Sequence, residues 1–78
     1  MNAPETFGER IARLRRRAGM TQTDLAARLG VSNITISRWE QQWMTPKPPA
    51  MRRLARVLGV TVHYLHHGHE APFRRRAA

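Results

Sequence analysis

The sequence predicts an all-α fold of five short helices, and three observations predict it. Apolar residues recur at steps of three and four in successive segments. Gly19, Gly30 and Gly59 close such segments where a left-handed residue would end a helix. Thr21, Ser32 and Thr61 stand where a hydroxyl can accept from the free N–H groups of the next one. No stretch alternates as a half-buried strand would, and no internal repeat or dividing linker interrupts the chain.

The first helix opens at Thr6, which stands at capping-box spacing from Glu9. It places Phe7, Ile11, Leu14 and Ala18 on one face, with Arg10, Arg13, Arg16 and Arg17 around the remainder as a solvated outer side. The second, Gln22 to Leu29, turns Leu25, Ala26 and Leu29 inward and has Thr21 with Asp24 as its capping pair. Gly30-Val31 leaves only a tight turn before the third, so these two helices must cross steeply. The third runs from Asn33 to Gln42, with Ile36 and Trp39 toward the core and Asn33, Ile34, Ser37, Arg38 and Gln41 on the other side. Pro46, Pro48 and Pro49 stop any continuation. Pro49, a residue favoured at a first helical position, begins the fourth helix, which ends at Leu58 with Met51, Leu54, Ala55 and Leu58 as its apolar stripe. The fifth covers Val62 to His66 and offers Val62 and Leu65 to the core with Tyr64 nearby. Residues 1–5 are thus a lead-in, 6–67 the folded domain and 68–78 a basic tail with little to bury, expected to be mobile.

A chain of 78 residues has room for one small core. Its 14 basic side chains against 5 acidic ones give a net charge of +9, and Lys47 is the sole lysine, so the remainder are arginines. The guanidinium fork suits phosphate oxygens and guanine edges, which makes nucleic acid the leading partner; charge alone also admits an anionic membrane surface. The absence of cysteine excludes disulfides, thiolate chemistry and cysteine-type zinc sites. No run approaches the ~20 apolar residues of a membrane span, and the N-terminus lacks the basic and apolar regions of a secretion signal. The expectation is a soluble, cytoplasmic protein. With no Ser-His-Asp order, paired carboxylates or phosphate loop, neither enzymatic activity nor a cofactor is expected.

The stretch from Met20-Thr21-Gln22 through Ala26, Gly30-Val31-Ser32 and Ile36-Ser37-Arg38-Trp39-Glu40 resembles the helix-turn-helix of the Cro/C1-type (XRE-like) transcriptional regulators. Pro46, Leu54-Ala55 and Leu58-Gly59-Val60 continue that resemblance in order. It implies a compact five-helix, lambda-repressor-like domain that binds double-stranded DNA, with the third helix in the major groove. On the residues themselves, Arg38 can bond bidentately to guanine and Asn33 to adenine, while Ile34 can pack on a thymine methyl and Ser37 can reach base edges. The resemblance places Gln22 on a phosphate, where the amino end of a helix also attracts an anion. Thr21 joins it, and the segment Trp43 to Lys47 is implied to lie along the sugar-phosphate backbone, making Thr45 and Lys47 phosphate contacts. Arg15 and Glu40 align with an interior ion pair of some phage repressors. The surface through which the family suggests homodimers form comprises Val60, Val62, Tyr64 and Leu65. The sequence departs from the family at Gln42, where glycine is usual, at Trp43 and at Pro48, so the loop after the third helix is expected to be atypical.

Function then reads as a repressor or autoregulator of phage, plasmid or similar origin, bound to a palindromic operator as a homodimer. The alternative is an antitoxin-like interaction module that represses its own operon secondarily; a toxin or polymerase partner is undetermined. Trp39 reads as core, whereas Trp43 either caps the core or contacts a second copy or the DNA backbone. His63, His66 and His67 share one helical side near His69, but without cysteine or any carboxylate beyond Glu70 they read as dipole-favoured residues of a helix end, not as a metal site. Arg74 to Arg76 read as a solubilising tail before a minor-groove arm.

Overall fold

The computed structural model describes residues 4–68. Its helices are α1 (Phe7–Arg17), α2 (Gln22–Leu29), α3 (Asn33–Glu40), α4 (Pro48–Leu58) and α5 (Val62–His67). Each start that the hydroxyl residues marked is capped in the anticipated way. Thr6 Oγ1 accepts from the Glu9 N–H while Glu9 Oε1 accepts from the Thr6 N–H, and Thr21 and Asp24 reciprocate similarly. Ser32 and Thr61 accept from the Thr35 and Tyr64 N–H groups. Gly30, at φ 72°, takes the left-handed conformation that allows α2 to end and α3 to begin almost at once.

One core joins all five helices. Ile11 and Leu14 of α1, Leu25 of α2, Ile36 of α3, Met51 and Leu54 of α4, then Val60 and Leu65 are its most deeply buried large side chains. At roughly 1.5–3 kcal/mol for each such side chain removed from water, this cluster dominates what holds the domain together. α3 lies between α1 and α2, so its inward side chains, Ile36 and Trp39, are fixed by both neighbours.

Four boundary and face expectations need correction. Ala18 does not join the apolar face of α1; it is the exposed C-cap, and the turn after it returns the Met20 N–H to the Arg15 carbonyl, putting Met20 in the core instead. α3 stops at Glu40, two residues short of Gln42, because Gln42 itself adopts φ 69°. The Gln42 N–H then bonds to the Trp39 carbonyl and the Trp43 N–H to that of Arg38 (2.8 Å), closing the helix end as a glycine would. α4 begins at Pro48, not Pro49: two consecutive prolines have no N–H to leave orphaned, so Lys47 caps without any side-chain bond. α5 extends one residue further, to His67.

The largest correction concerns Arg10 and Arg13. Arg10 is 6% exposed, its guanidinium bonded to the carbonyls of Leu65 (3.0 Å) and Glu5 (3.1 Å). Arg13 donates to both Glu5 carboxylate oxygens and to the Tyr64 hydroxyl. These two arginines tie the lead-in to α5; of the first helix's outer arginines, Arg16 and Arg17 are the exposed ones. Glu5, assigned to the lead-in, is therefore part of the folded unit.

Candidate nucleic-acid interface

Both α2 and α3 leave polar side chains at the surface. At the amino end of α2 Thr21 is exposed, but its backbone N–H is already taken by Asp24 (2.9 Å) and its oxygen accepts from the Asp24 N–H. The Thr21 hydroxyl also faces the Asp24 carboxylate, so a phosphate there would compete with Asp24 for its hydrogen. The Thr21 backbone N–H and then its hydroxyl hold the Asp24 carboxyl below its usual range, so this position stays anionic. Gln22 is half-buried and donates from Nε2 to Glu40 Oε1 (3.0 Å), leaving one amide hydrogen free to meet a phosphate.

That Glu40 oxygen has a second donor. Arg15 bonds Glu40 in fork geometry, Nε to Oε2 at 2.7 Å and Nη2 to Oε1 at 3.1 Å, and its Nη1 reaches the Met20 carbonyl. Both side chains are about nine-tenths buried, so the ion pair implied by the family resemblance is interior. It links α1, the end of α3 and, through Gln22, the amino end of α2.

On α3 itself the anticipated division holds. Ile36 is 0% and Trp39 3% exposed, whereas Asn33, Ile34 and Arg38 face outward and Ser37 is half-buried. Asn33 and Arg38 make no side-chain hydrogen bond among the described residues, so their donors are available. Ser37 Oγ accepts from Gln41 Nε2 (2.9 Å), keeping its hydrogen for another partner. Thr45 and Lys47 are exposed in the loop that follows. Two of the acidic residues, Glu5 and Glu40, are drawn into ion pairs with Arg10, Arg13 and Arg15. Arg16, Arg38, Lys47, Arg52, Arg53 and Arg56 have no ion pair among the described residues, so unpaired positive charge lies on the surface.

The expected dimer residues fare differently. Val60 and Leu65 are 0% and Tyr64 8% exposed: they belong to the protomer's own core and have almost no side-chain surface for a second copy. Val62 is half-buried and shares a groove of about 320 Å³ with Pro46, Pro48, Met51, Arg52 and His66. The rings of His63 and His67 lie 4.5 Å apart, yet among the described residues no three metal-binding side chains converge. His69, Glu70 and Arg74 to Arg76 fall outside the described residues.

Sequence reasoning missed one feature: Gln42 reaches back with Oε1 to accept the Gly8 N–H at the start of α1 (2.8 Å). Of the alternatives for Trp43, capping the core is ruled out, since it is 77% exposed. Gly8 allows that approach, because a Cβ there would overlap the Glu40 carbonyl oxygen. The signal available for Gln42 was the residue itself, a long amide where a left-handed residue belongs.

A capped helix, a tight left-handed turn and a second helix anchored by Ile36 and Trp39, with hydrogen-bonding groups outward, define a helix-turn-helix DNA-reading domain of the Cro/C1 type. Residues 6–67 match the family described as helix-turn-helix domain, and the chain belongs to that family. It is 42% identical over 66 residues to the 26 kDa repressor protein of Escherichia phage HK022, covering 80% of this chain and 28% of that protein's length. Its fold is similar to that of the P22 c2 repressor in complex with a synthetic operator, at TM-score 0.81 and 32% identity over 85% of this chain and 100% of that one. It is likewise similar to SinR of Bacillus subtilis in complex with DNA, at TM-score 0.71 and 31% identity over 77% and 97% of the two chains. No helix among the described residues is long and apolar enough to cross a membrane.

Proposed function

We propose that the chain is a sequence-specific transcriptional repressor that binds a palindromic operator as a homodimer, with α3 in the major groove, and that its own promoter is among its targets. The two-sidedness of α3 carries this reading: Ile36 and Trp39 lock the helix while Asn33, Ile34 and Arg38 stand free on the opposite side. Arg38 then takes guanine O6 and N7, Asn33 adenine N6 and N7, Ile34 a thymine methyl, and the Ser37 hydroxyl a further base edge. Gln22, the Thr21 hydroxyl, Thr45 and Lys47 meet phosphates and set the register. The similarity to the P22 c2 repressor solved with a synthetic operator and to SinR solved with DNA supports DNA binding.

A single module buries only about 600–1,000 Å² on DNA, so a second copy over the other half-site doubles the sequence read. Since Val60, Tyr64 and Leu65 are interior, the surface that remains for pairing near α5 is the groove around Val62. Repression follows from occupancy of the promoter.

The test is selection of bound duplexes from random DNA, with footprinting of the complex. The expected product is a two-fold symmetric site with half-sites about 34–36 Å apart. Arg38→Ala should weaken that site by about 1–3 kcal/mol and relax one base position, whereas Gln22→Ala should weaken all sequences evenly. A log–log salt slope of about −0.9 per phosphate neutralised is expected. Equal affinity for every duplex would overturn the reading, and an asymmetric single half-site would overturn the dimer.

A further inference from the structure

The groove around Val62 lies where the loop before α4, α4 itself and α5 meet. Its volume of about 320 Å³ falls within the range of small-molecule sites. Of its walls, Pro46, Pro48, Met51 and Val62 are apolar, while Arg52 and His66 are polar. The apolar part is preformed: Pro46 and Met51 are buried, and each proline fixes its own φ. The polar part is exposed, and Arg52 makes no hydrogen bond or ion pair among the described residues. Nor does the surrounding stretch of chain hold a counter-charge for it. No aspartate or glutamate stands between Glu40 and Glu70 in the sequence, whereas Lys47, Arg53 and Arg56 add to the positive field.

We infer that this groove binds a small organic carboxylate with an apolar body, the body lying against Pro46, Pro48, Met51 and Val62 and the carboxylate meeting the Arg52 guanidinium, with the His66 ring as a second donor. Charge and shape select the class together. A nucleic-acid phosphate would satisfy Arg52 but leave the apolar walls in water, and a neutral hydrocarbon would cover the walls but leave the guanidinium without its planar, two-oxygen partner. A second copy paired two-fold brings the same walls, which include no carboxylate. The carboxylate and a paired copy therefore exclude each other, and the ligand loosens operator binding by removing the protomer on the other half-site. That consequence rests on the homodimer proposed above; the site itself does not.

The test is titration of octanoate into the full chain, read by the methyl resonances of Met51 and Val62, with Met20 as the reference because it is not a wall of the groove. Saturable shifts at Met51 and Val62 are expected, with a Kd of about 1 mM or tighter. Octanol has the body without the charge and acetate the charge without the body, so each should bind about tenfold more weakly or worse. Arg52→Gln should weaken octanoate about tenfold, whereas Arg53→Gln, which removes the same charge from the same helix but is not a wall, should leave it unchanged. Both positions are exposed, so circular dichroism of the two variants should match wild type. On the duplex recovered by selection, saturating octanoate should lower the affinity of the wild-type protein about tenfold and that of Arg52→Gln far less. No saturable shift at Met51, or an equal loss in the two arginine variants, overturns the site. Shifts that grow with protein concentration and that octanoate does not reverse assign the groove to a second copy alone, and binding that appears only in Phe73→Ala assigns it to the chain's own tail; either overturns the site. Octanoate bound without any loss of operator affinity overturns the competition and the pairing through this groove, and leaves the site standing. Failure of the wild-type protein to bind any duplex strikes the operator reading, while the methyl titration, which uses no DNA, still decides the site.

Discussion

Gln42 offers a stability prediction whose terms can be separated. A residue other than glycine at φ 69° costs about 1–2 kcal/mol relative to glycine. Against that stands the bond from the Gly8 N–H to Gln42 Oε1, 2.8 Å long and in a partly buried setting. Its net contribution is roughly 0.5–1.5 kcal/mol, and leaving that N–H unpaired costs about 1–3 kcal/mol if water does not reach it. Gln42→Ala keeps the backbone strain and loses the bond, so it should destabilise by about 1–2 kcal/mol. Gln42→Gly loses the bond but relieves the strain, so it should fall within about 0.5 kcal/mol of wild type. Gln42→Glu retains an acceptor at the positive end of α1 and should be at least as stable as wild type. The measurement is urea unfolding followed by circular dichroism, comparing midpoints at constant slope. For a domain of this size the alanine variant should also melt about 4–8 °C lower for each kcal/mol lost. If Gln42→Gly proves more stable than wild type by the full value of the strain, the bond contributes nothing. If the alanine and glycine variants coincide, the left-handed conformation carries no cost at this site.

Two further outcomes follow from the ion pairs. Glu40→Ala should destabilise by about 3–5 kcal/mol, because it leaves Arg15 buried with only the Met20 carbonyl as partner. Arg15→Met combined with Glu40→Leu should recover most of that loss, and simple additivity in chemical denaturation would show that the two do not act as a pair. Hydrogen bonding from Arg13 holds the Glu5 carboxyl below its usual value near 4.5. Its folded pKa is therefore lower than its unfolded one, so its contribution is complete above about 4.5 and fades as pH falls through the folded value. Glu5→Gln should flatten the acid limb of stability against pH; an unchanged limb would mean that the lead-in does not clamp α1 and α5.

The parts of this molecule that were legible in its sequence are those whose cause is local. A threonine hydroxyl three residues before an N–H, a glycine free to take a positive φ, and a proline without an N–H act within one helical turn, so the starts of α1, α2, α3 and α5 and the end of α2 could be read directly. The errors share the opposite origin. Arg10 lies on the side of α1 where a solvated cation is the default, and only the Leu65 carbonyl, 55 positions away, makes it a buried strut. Val60 and Leu65 were assigned to a dimer surface because an apolar position looks the same whether it faces its own core or a second copy, and burial decides between them. Gln42 and Trp43 illustrate the point most sharply. A glycine at position 42 would have ended α3 with no demand on α1, whereas glutamine makes that ending depend on the Gly8 N–H across the fold. The loop that displays Trp43 beside Arg38 is thus held partly by the amino end of α1, and the departures from the family pattern that obscured the sequence reading are the features that distinguish this interface.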